Sequence, residues 1–364
     1  MNDLPKLTIV GYADRQSVAP GDAIKFMVSE EGNPNPYRAR LFRMHSMDSH
    51  AGGCGLIEEE IQASFTGEYA ARHQDLTTGS YVRFPKDLQP QRVGSFTAQA
   101  YIWPTLPATS RQTLIAYWNG HQGFRLEIDE AGALSLSLTG VDGVSQSVTT
   151  GMALLAREWY FVSASYDLSS GRILLTQKPL RPYPVLNESA SAEGRFEMPD
   201  TWSNGVLSIA AHALDSVEGT YAGFFNGKID RPRLTSREMS PIEIQALAEA
   251  RVPIHLARET IGFWDFSLEQ NSTMVRDLSH SMRHGEVVNL PSRAMTGFNW
   301  TGGNNDFNVV PDEYGAIHFH DDDLYDAKWD ADFEWTVPDD LPSGCYAVKL
   351  DNGDLPGYIV FFVR

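Results

Sequence analysis

The stretch Gly132-Ala133-Leu134-Ser135-Leu136-Ser137-Leu138 alternates leucine with small residues without a break. Successive side chains of a β-strand point to opposite faces, so this two-residue period is that of a strand with one face on a core. An amphipathic helix would instead repeat its apolar residues every three or four positions. The stretch therefore predicts a β-strand whose leucines are buried.

Comparable segments flank this stretch on both sides. They are short, rich in β-branched and aromatic residues, and bounded by glycine, proline or polar turns: 94–104, 113–118, 123–129, 158–167, 172–176, 205–210 and 225–234. Many short strands joined by turns are typical of an antiparallel sandwich. One short helix is predicted near 240–250, because Ser240 can cap it, Pro241 suits its first turn and Glu243 completes a capping box.

The two ends of the chain carry a further set of strands. Three are predicted before the first set, at 7–10, 23–28 and 37–44, and four after it, at 315–319, 333–337, 345–350 and 358–363. Three strands cannot close an immunoglobulin-like sandwich, which needs about seven, so the missing strands must come from the other end of the chain. Tyr346 follows a turn in the manner of a tyrosine corner. The sequence predicts an all-β protein: an immunoglobulin-like β-sandwich, 1–60 and 291–364, interrupted by a second sandwich at 61–290.

The composition argues against several classes of function. A formal charge of −18 at pH 7 disfavours nucleic acid, whose phosphates need clustered Lys and Arg, and an anionic membrane surface. No stretch approaches the ~18 to 20 apolar residues of a membrane span, and the residues from Met1 to Lys6 lack a secretory pattern. Cys54 and Cys345 are too few for a disulfide scaffold and are expected to be free thiols. These features predict a cytoplasmic protein.

Three segments of the inserted region resemble a laminin-G or concanavalin-like jelly roll. They are the strand Phe96–Pro104, the Trp159-containing strand that ends in Tyr166-Asp167, and Gly227-Lys228-Ile229-Asp230 followed by Ser240-Pro241-Ile242-Glu243-Ile244. The resemblance covers roughly residues 66 to 260, and it implies that the inserted sandwich is such a jelly roll.

The whole chain, moreover, resembles the amino-terminal half of N,N-dimethylformamidase large (beta) subunits. The resemblance is carried by the segments 11–14, 37–41, 263–266, 277–279, 290–297 and 314–326. The two most distinctive are Leu290-Pro291-Ser292-Arg293-Ala294-Met295-Thr296-Gly297 and Tyr314-Gly315-Ala316-Ile317-His318-Phe319-His320-Asp321-Asp322-Asp323-Leu324-Tyr325-Asp326.

The resemblance implies an iron-dependent hydrolysis of a small N-substituted amide, carried out in the cytoplasm by an oligomer of large and small subunits. It also implies that the iron is held by tyrosine and glutamate side chains of a carboxy-terminal domain. This sequence stops at Arg364, directly after the closing strand. We therefore assign no catalytic residue, no cofactor-binding residue and no metal ligand to this chain, and expect its partners to be that carboxy-terminal domain and the small subunit.

The sharpest chemical candidate is His318-Phe319-His320-Asp321-Asp322-Asp323. On a strand, His318 and His320 share a face, so that both imidazoles and a following carboxylate could bind one metal. Alternatively, one histidine packs under the sandwich while the acids cap the next loop or meet a partner subunit. We prefer the second interpretation. It predicts an interface at His318, His320 and Asp321, together with Trp300, which begins a glycine-rich loop.

Two other groups of residues have a functional and a structural interpretation. Asp129, Asp167 and Asp230 sit at strand ends where jelly rolls sometimes bind calcium, but turn aspartates more often bond nearby amides. Seven aromatic residues could line a sugar-binding face, although aromatics are more often core: Trp103, Trp118, Trp159, Trp202, Tyr101, Tyr117 and Tyr221. The phase of Trp103 and Trp159 predicts that these two are buried.

Three hypotheses for the function follow. The leading one is a non-catalytic scaffold and assembly region of a dimethylformamidase-like iron amidohydrolase. The alternatives are a stand-alone carbohydrate-binding or adhesion module, and a hydrolase with an unrecognised site. The sequence contains no nucleophile elbow, Walker loop or dinucleotide fingerprint that would favour the last.

Overall fold

The computed structural model describes residues 7–32, 35–48, 50–181, 189–198, 200–215, 220–248 and 258–364. The chain forms two compact units, of which the first is discontinuous in sequence: Met1–Thr77 with Asp326–Arg364. The second unit is Thr78–Tyr325. The predicted class, an immunoglobulin-like β-sandwich interrupted by an inserted jelly roll, is confirmed.

The first unit is a sandwich of two sheets, with strands numbered along the whole chain. Its strands are β1 Ile9–Ala13, β2 Ser17–Val18, β3 Ala23–Glu30, β4 Tyr37–Met47, β5 Leu56–Ile61, β6 Gly67–Tyr69, β27 Phe333–Thr336, β28 Gly344–Asp351 and β29 Gly357–Val363. One sheet has the order β1-β3-β27, and the other has the order β2-β29-β28-β4-β5 with β6 paired to β4. Strands from both ends of the chain thus complete each sheet, as the strand count required.

Aromatic side chains from both chain ends form the core of the first unit. Phe26 of β3 is fully buried, and its ring centre lies 5.6 Å from that of Phe65, 5.2 Å from that of Phe333 and 5.6 Å from that of Phe361. Tyr346 donates from its hydroxyl to the carbonyl oxygen of Pro342 at 2.6 Å, which is the bond a tyrosine corner makes. The core therefore exists only when residues before 78 and after 325 meet.

The second unit holds the remaining strands and the helix of the described chain. Its strands are β7 Tyr81–Arg83, β8 Arg92–Val93, β9 Phe96–Pro104, β10 Gln112–Trp118, β11 Gly123–Ile128, β12 Ala133–Thr139, β13 Ser145–Ala153, β14 Tyr160–Tyr166, β15 Arg172–Pro179, β16 Ala190–Arg195, β17 Trp202–Ser203, β18 Val206–Ile209, β19 His212–Ala213, β20 Tyr221–Ala222, β21 Gly227–Thr235, β22 Thr260–Asp265, β23 Met274–Asp277, β24 Gly285–Val288, β25 Ser292–Met295 and β26 Ala316–Phe319. The helix α1 is Pro241–Ala248, and 3-10 turns cover Lys86–Leu88 and Pro311–Tyr314.

One hydrogen-bonded path runs through most of these strands, in the order β13-β12-β11-β10-β18-β7-β24-β23-β22-β21-β9-β14-β15-β16. Strand β26 pairs with β21 and with β25. The inward side chains of β12 and β9 belong to one apolar core, in which Leu134, Leu136 and Leu138 are at most 1% exposed. The burial predicted from the leucine alternation is confirmed.

Helix α1 covers the opposite face of the sheet that contains β9 and β14. Its amino terminus has the predicted capping box: the Ser240 amide donates to Glu243 Oε2 at 2.9 Å, and the Glu243 amide donates to Ser240 Oγ at 3.4 Å. Ile244 and Leu247 pack against Tyr101. Among the residues whose positions are described, none forms a helix long and apolar enough to cross a bilayer.

The structure corrects the placement of one strand. Residues 315–319 were expected in the resumed first sandwich, but β26 hydrogen-bonds to Gly227–Asp230 of β21 in the second unit. Ile317 and Phe319 are fully buried in the core of that unit, and this burial stabilises the strand there. The predicted boundaries lay after residues 60 and 290, whereas the two units divide after Thr77 and after Tyr325. The first boundary is later because Phe65 belongs to the core of the first unit. The second is later because β26 pairs within the second unit.

Candidate functional site

Three outward-facing residues form a row across the sheet of the second unit. Lys228 on β21 is in register with Trp103 on β9 and with His318 on β26. The Lys228 Nζ atom lies 4.7 Å from the centre of the Trp103 ring and donates to Thr296 Oγ1 at 2.8 Å. His320 follows on the same face, with its ring centre 4.1 Å from that of His318. We call Trp103, Lys228, His318 and His320 the lysine–histidine row.

Burial sets the electrostatics of this row. Lys228 is 8% exposed, and desolvation lowers the pKa of its ammonium group. Desolvation, assisted by His320 and Lys228, lowers the pKa of His318 to about 4, so that its imidazole is neutral at pH 7. The His318 Nε2 atom is buried and makes no hydrogen bond within the described chain. The row therefore offers a cation on an indole face beside a neutral imidazole, with His320 partly open to solvent.

Asp323 and the nearby backbone amides fix the loop that follows His320. Asp323 Oδ2 accepts a hydrogen bond from Ser80 Oγ at 2.6 Å and lies 3.3 Å from His320 Nδ1. The His320 amide donates to Ser80 Oγ at 3.1 Å, and the Asp321 amide donates to Asn226 Oδ1 at 3.2 Å. The described residues contain no group of three or more His, Cys, Asp or Glu side chains arranged to hold a metal ion. Of the three acids, Asp323 is the one whose carboxylate caps the loop.

Trp300 lies on the loop between β25 and the 3-10 turn Pro311–Tyr314, and its side chain is 39% exposed. The loop is fixed at the next residue, because the Thr301 amide donates to Glu313 Oε2 at 2.8 Å. The assignment of Trp300, His318, His320 and Asp321 to an interface stays a prediction.

The three candidate calcium aspartates have three different surroundings. Asp129 Oδ1 accepts the amides of Ala131 and Ala133 and so closes a turn. Asp167 accepts from the hydroxyls of Ser169 and Ser170, and these bonds hold the pKa of its carboxyl well below the ordinary value. Both carboxylates thus bond nearby turn groups, which is the structural interpretation of turn aspartates.

Asp230 differs from the other two because it is wholly buried. Desolvation raises the pKa of its carboxyl to about 8, despite the nearby Arg231 guanidinium and a bond from the Phe298 amide at 3.3 Å. Its Oδ1 atom has no hydrogen-bond partner in the described chain. A Cβ atom on Gly297 would lie 2.5 Å from Asp230 Oδ2, so a larger residue there would displace the carboxyl. Burial thus favours the protonated form of this carboxyl.

The aromatic residues do not assemble into an open face. Trp118, Trp202, Tyr101 and Tyr117 are 9% exposed or less. Trp103 and Trp159, expected in the core, are instead half-buried, and that prediction was wrong. Trp103 points to the face that carries Lys228, and Trp159 packs at the edge of the cluster under α1.

Sequence reasoning missed a buried polar network on the β10–β12 part of the sheet. Glu127 is fully buried, and its Oε1 atom accepts from Arg111 Nη1 at 2.7 Å and from Ser137 Oγ at 2.6 Å. Arg125 Nε lies 3.6 Å from Glu127 Oε2, and its guanidinium stacks on Trp118 at 4.7 Å. The signal in the sequence was that Arg125 and Glu127 occupy alternate positions of an otherwise apolar strand.

The same network includes His212. Its Nδ1 atom lies 2.8 Å from Thr113 Oγ1, and its Nε2 atom lies 3.3 Å from Arg125 Nη1. Burial and the charge of Arg125 lower the pKa of His212 to about 4. A neutral histidine and a carboxylate beside two arginines form one buried polar network, in which Arg125 Nε and Glu127 Oε2 make no hydrogen bond within the described chain.

Two tyrosines and a carboxylate lie near one another in the first unit. The rings of Tyr37 and Tyr69 stack at 5.6 Å, and burial raises the pKa of both phenols. The Tyr69 hydroxyl already donates to the carbonyl of Phe65 at 2.6 Å. Asp332 is held by Arg72, at 3.2 and 3.1 Å, and by the Val28 amide at 2.8 Å. The Tyr69 hydroxyl and the Asp332 carboxylate are thus bonded within the first unit.

Two family models match the chain. Residues 76–245 match the Concanavalin A-like lectin/glucanases superfamily. Residues 292–364 match the model described as N,N-dimethylformamidase beta subunit-like, C-terminal.

Two curated proteins are similar along almost the whole chain. The N,N-dimethylformamidase beta subunit of Paracoccus aminophilus is 35% identical over 98% of this chain and 49% of its own length. The protein of the same name from an Alcaligenes species is 32% identical over 98% of this chain and 49% of its own length. The chain spans about half the length of these relatives.

Solved structures that resemble part of the chain include a native heptameric SAP-like pentraxin from Limulus polyphemus. It is 13% identical, with a TM-score of 0.34, and the match covers 48% of this chain and 83% of that chain. The CBM40 of a Ruminococcus gnavus IT-sialidase, bound to alpha2,3 sialyllactose, is 18% identical with a TM-score of 0.36 and covers 48% of this chain and 95% of that chain.

Proposed function

Because the chain is homologous along almost its entire length to N,N-dimethylformamidase beta subunits, we propose that its two sandwiches form the non-catalytic scaffold of such an enzyme. One observation carries the proposal: three carboxylates that lie in or near the cores are bonded to side chains of their own unit. Glu127 forms ion pairs with Arg111 and Arg125, and Asp332 forms one with Arg72. Asp323 accepts a hydrogen bond from Ser80. Groups committed in this way stabilise a structure but are not poised for acid, base or metal chemistry.

Under this proposal the chemistry lies elsewhere in the enzyme. Hydrolysis of a small N-substituted amide, and the iron that the resemblance implies, belong to the half of the beta subunit that this chain does not match. The relatives' name, beta subunit, supports a second kind of subunit in the assembly. The partners proposed here are therefore the carboxy-terminal half and a small subunit.

The first test is an activity and iron assay. We expect the purified chain alone to show no release of dimethylamine from N,N-dimethylformamide and no stoichiometric iron. Mixing it with the unmatched half of the Paracoccus aminophilus beta subunit and the small subunit is expected to give turnover that is lost without the chain. Amide hydrolysis or one equivalent of tightly bound iron in the isolated chain would contradict the proposal.

We also propose that the protein works in the cytoplasm. The support is that Cys54 and Cys345 are free thiols and that Cys54 is exposed, which suits a reducing compartment. Fractionation of the producing cell tests this, and recovery in a secreted fraction would contradict it.

A further inference from the structure

One strand of the first unit, β29, carries apolar residues on both of its faces. On β29, Ile359, Phe361 and Val363 point into the sandwich core and are at most 3% exposed. The residues between them point outward and are apolar as well: Val360 is 37% exposed and Phe362 is 51% exposed. An antiparallel sheet with one face in water normally alternates apolar and polar residues. The pattern on β29 is that of a strand covered on both sides.

The other sheet of the same unit provides an internal comparison. On β27, Phe333 and Trp335 point inward, while Glu334 and Thr336 point outward and are exposed. That strand has the alternation expected beside solvent. The apolar outer residues are therefore a property of one sheet of this sandwich and not of its composition in general.

Neighbouring strands continue the apolar residues of this face, but only Cys345, Val360 and Phe362 reach its surface. Phe42, Met44 and Ala347 lie beneath it and are at most 8% exposed. Cys345 of β28 is in register with Phe362, and Ala347 is in register with both Val360 of β29 and Phe42 of β4. Phe42, Met44 and Ala347 form a small apolar cluster outside the main core, with Cys345 packed against it. We call these six residues the outer apolar face: Phe42, Met44, Cys345, Ala347, Val360 and Phe362.

The charges beside this face neutralise one another. Lys349 Nζ lies 2.7 Å from Glu58 Oε1, and Arg40 Nη1 lies 3.4 Å from Glu60 Oε2. Both cations also lie over the Phe42 ring, and each is paired with a carboxylate. A neutral border around an apolar centre suits a permanent protein contact better than a charged ligand.

We propose that the outer apolar face packs against the half of a dimethylformamidase-type beta subunit that this chain does not match, an inference that rests on the proposed function. The relatives contain about as much polypeptide again as this chain covers. Moreover, the family model described as C-terminal takes in residues 292–364, and this segment supplies Cys345, Ala347, Val360 and Phe362. Most of the face is thus built from the segment that the family groups with the carboxy-terminal region.

The natural thiol in the face allows a direct test. With Cys54 replaced by serine, Cys345 is the single cysteine, and its alkylation rate reports whether the face is covered. We expect alkylation to slow at least about tenfold when the unmatched half of the Paracoccus aminophilus beta subunit is added, since an interface core is fully desolvated.

A pair of substitutions tests the contact itself. Phe362→Glu is expected to weaken binding of that half at least about tenfold, the effect of losing a central apolar anchor. Because Phe362 is 51% exposed, the thermal midpoint of the variant chain alone should stay close to the original. Val144→Glu, at a similarly exposed position of the second unit (56%), is the matched control and should bind normally.

Each of these outcomes overturns the inference: no binding of the unmatched half when circular dichroism shows that it is folded, equal alkylation of Cys345 with and without it, or normal binding by Phe362→Glu. A chain that dimerises alone and loses its dimer in Phe362→Glu would assign the face to a second copy, against the occupant proposed here. Amide hydrolysis by the isolated chain would contradict the proposed function instead, so the two failures are distinguishable.

Discussion

Replacing Asp230 by asparagine is expected to stabilise the second unit by several kcal/mol at pH 8 and above, and to leave its stability near pH 4 almost unchanged. The carboxyl is fully buried, and its pKa is raised to about 8 by desolvation. In the unfolded chain an aspartate loses its proton at about pH 4. Asparagine has nearly the same shape and keeps an acceptor for the Phe298 amide.

The direction of this effect follows from proton binding. Between about pH 4 and 8 the folded chain holds a proton on Asp230 that the unfolded chain has lost, so the free energy of unfolding falls as the pH rises. Each unit of pKa difference corresponds to about 1.4 kcal/mol. Asparagine binds no proton, and its advantage should therefore grow through this range and become constant above pH 8.

Urea denaturation of both chains at several pH values between 4 and 9 measures this difference. Asp167→Asn provides a control of opposite sign, because the serine hydroxyls lower the pKa of Asp167 in the folded state. Its stabilising contribution is present above the unfolded pKa of about 4 and disappears as the pH falls through the lower folded value. Asp167→Asn should hence destabilise the chain at neutral pH. A pH-independent effect of Asp230→Asn would show that the buried carboxyl is not protonated.

Trp202→Ala is expected to lower the free energy of unfolding of the second unit by about 3–5 kcal/mol, the range for deleting a buried aromatic side chain. Trp202 is fully buried, with its ring centre 5.6 Å from that of Tyr166 and 6.1 Å from those of Phe96 and Phe124. Its indole Nε1 also donates to the carbonyl of Thr139 at 2.6 Å. The substitution removes the packing and leaves that carbonyl without its donor.

Trp300→Ala is the matched control, because its side chain is 39% exposed and lies on a loop. Its effect on the chain alone should stay within about 0.5 kcal/mol. Denaturation followed by tryptophan fluorescence and by circular dichroism compares the two variants. Equal losses of stability would mean that Trp202 does not anchor the core of the second unit.

Local patterns predicted the elements of this fold well. The leucines of β12 are buried because the strand period alone determines which side chains face the core. The capping box at Ser240 and Glu243 was predictable because its two bonds join residues three apart in sequence. The resemblance to dimethylformamidase beta subunits, carried by the segments at 290–297 and 314–326, is confirmed by the two relatives.

What depended on long-range pairing could not be predicted. The strand at Ala316–Phe319 has a period that fits either sandwich, and only its pairing with β21 assigns it to the second unit. Trp103 alternates correctly for a buried residue, but both faces of β9 are largely covered, so the period cannot tell the core from the face that carries Lys228. His212 meets Arg125 across strands far apart in sequence, and no local signal connects them.

The interrupted first unit has a consequence for the order of biosynthesis. Strand β3 emerges from the ribosome early, yet its partner β27 follows only after the whole of residues 78–325. All strands of the second unit are synthesised before that point, so this unit can fold first. Phe26 and Tyr37 are buried only later, when core residues such as Phe333 have been synthesised. Nascent chains stalled before residue 326 should accordingly resist protease across the jelly roll while their leading segment is digested.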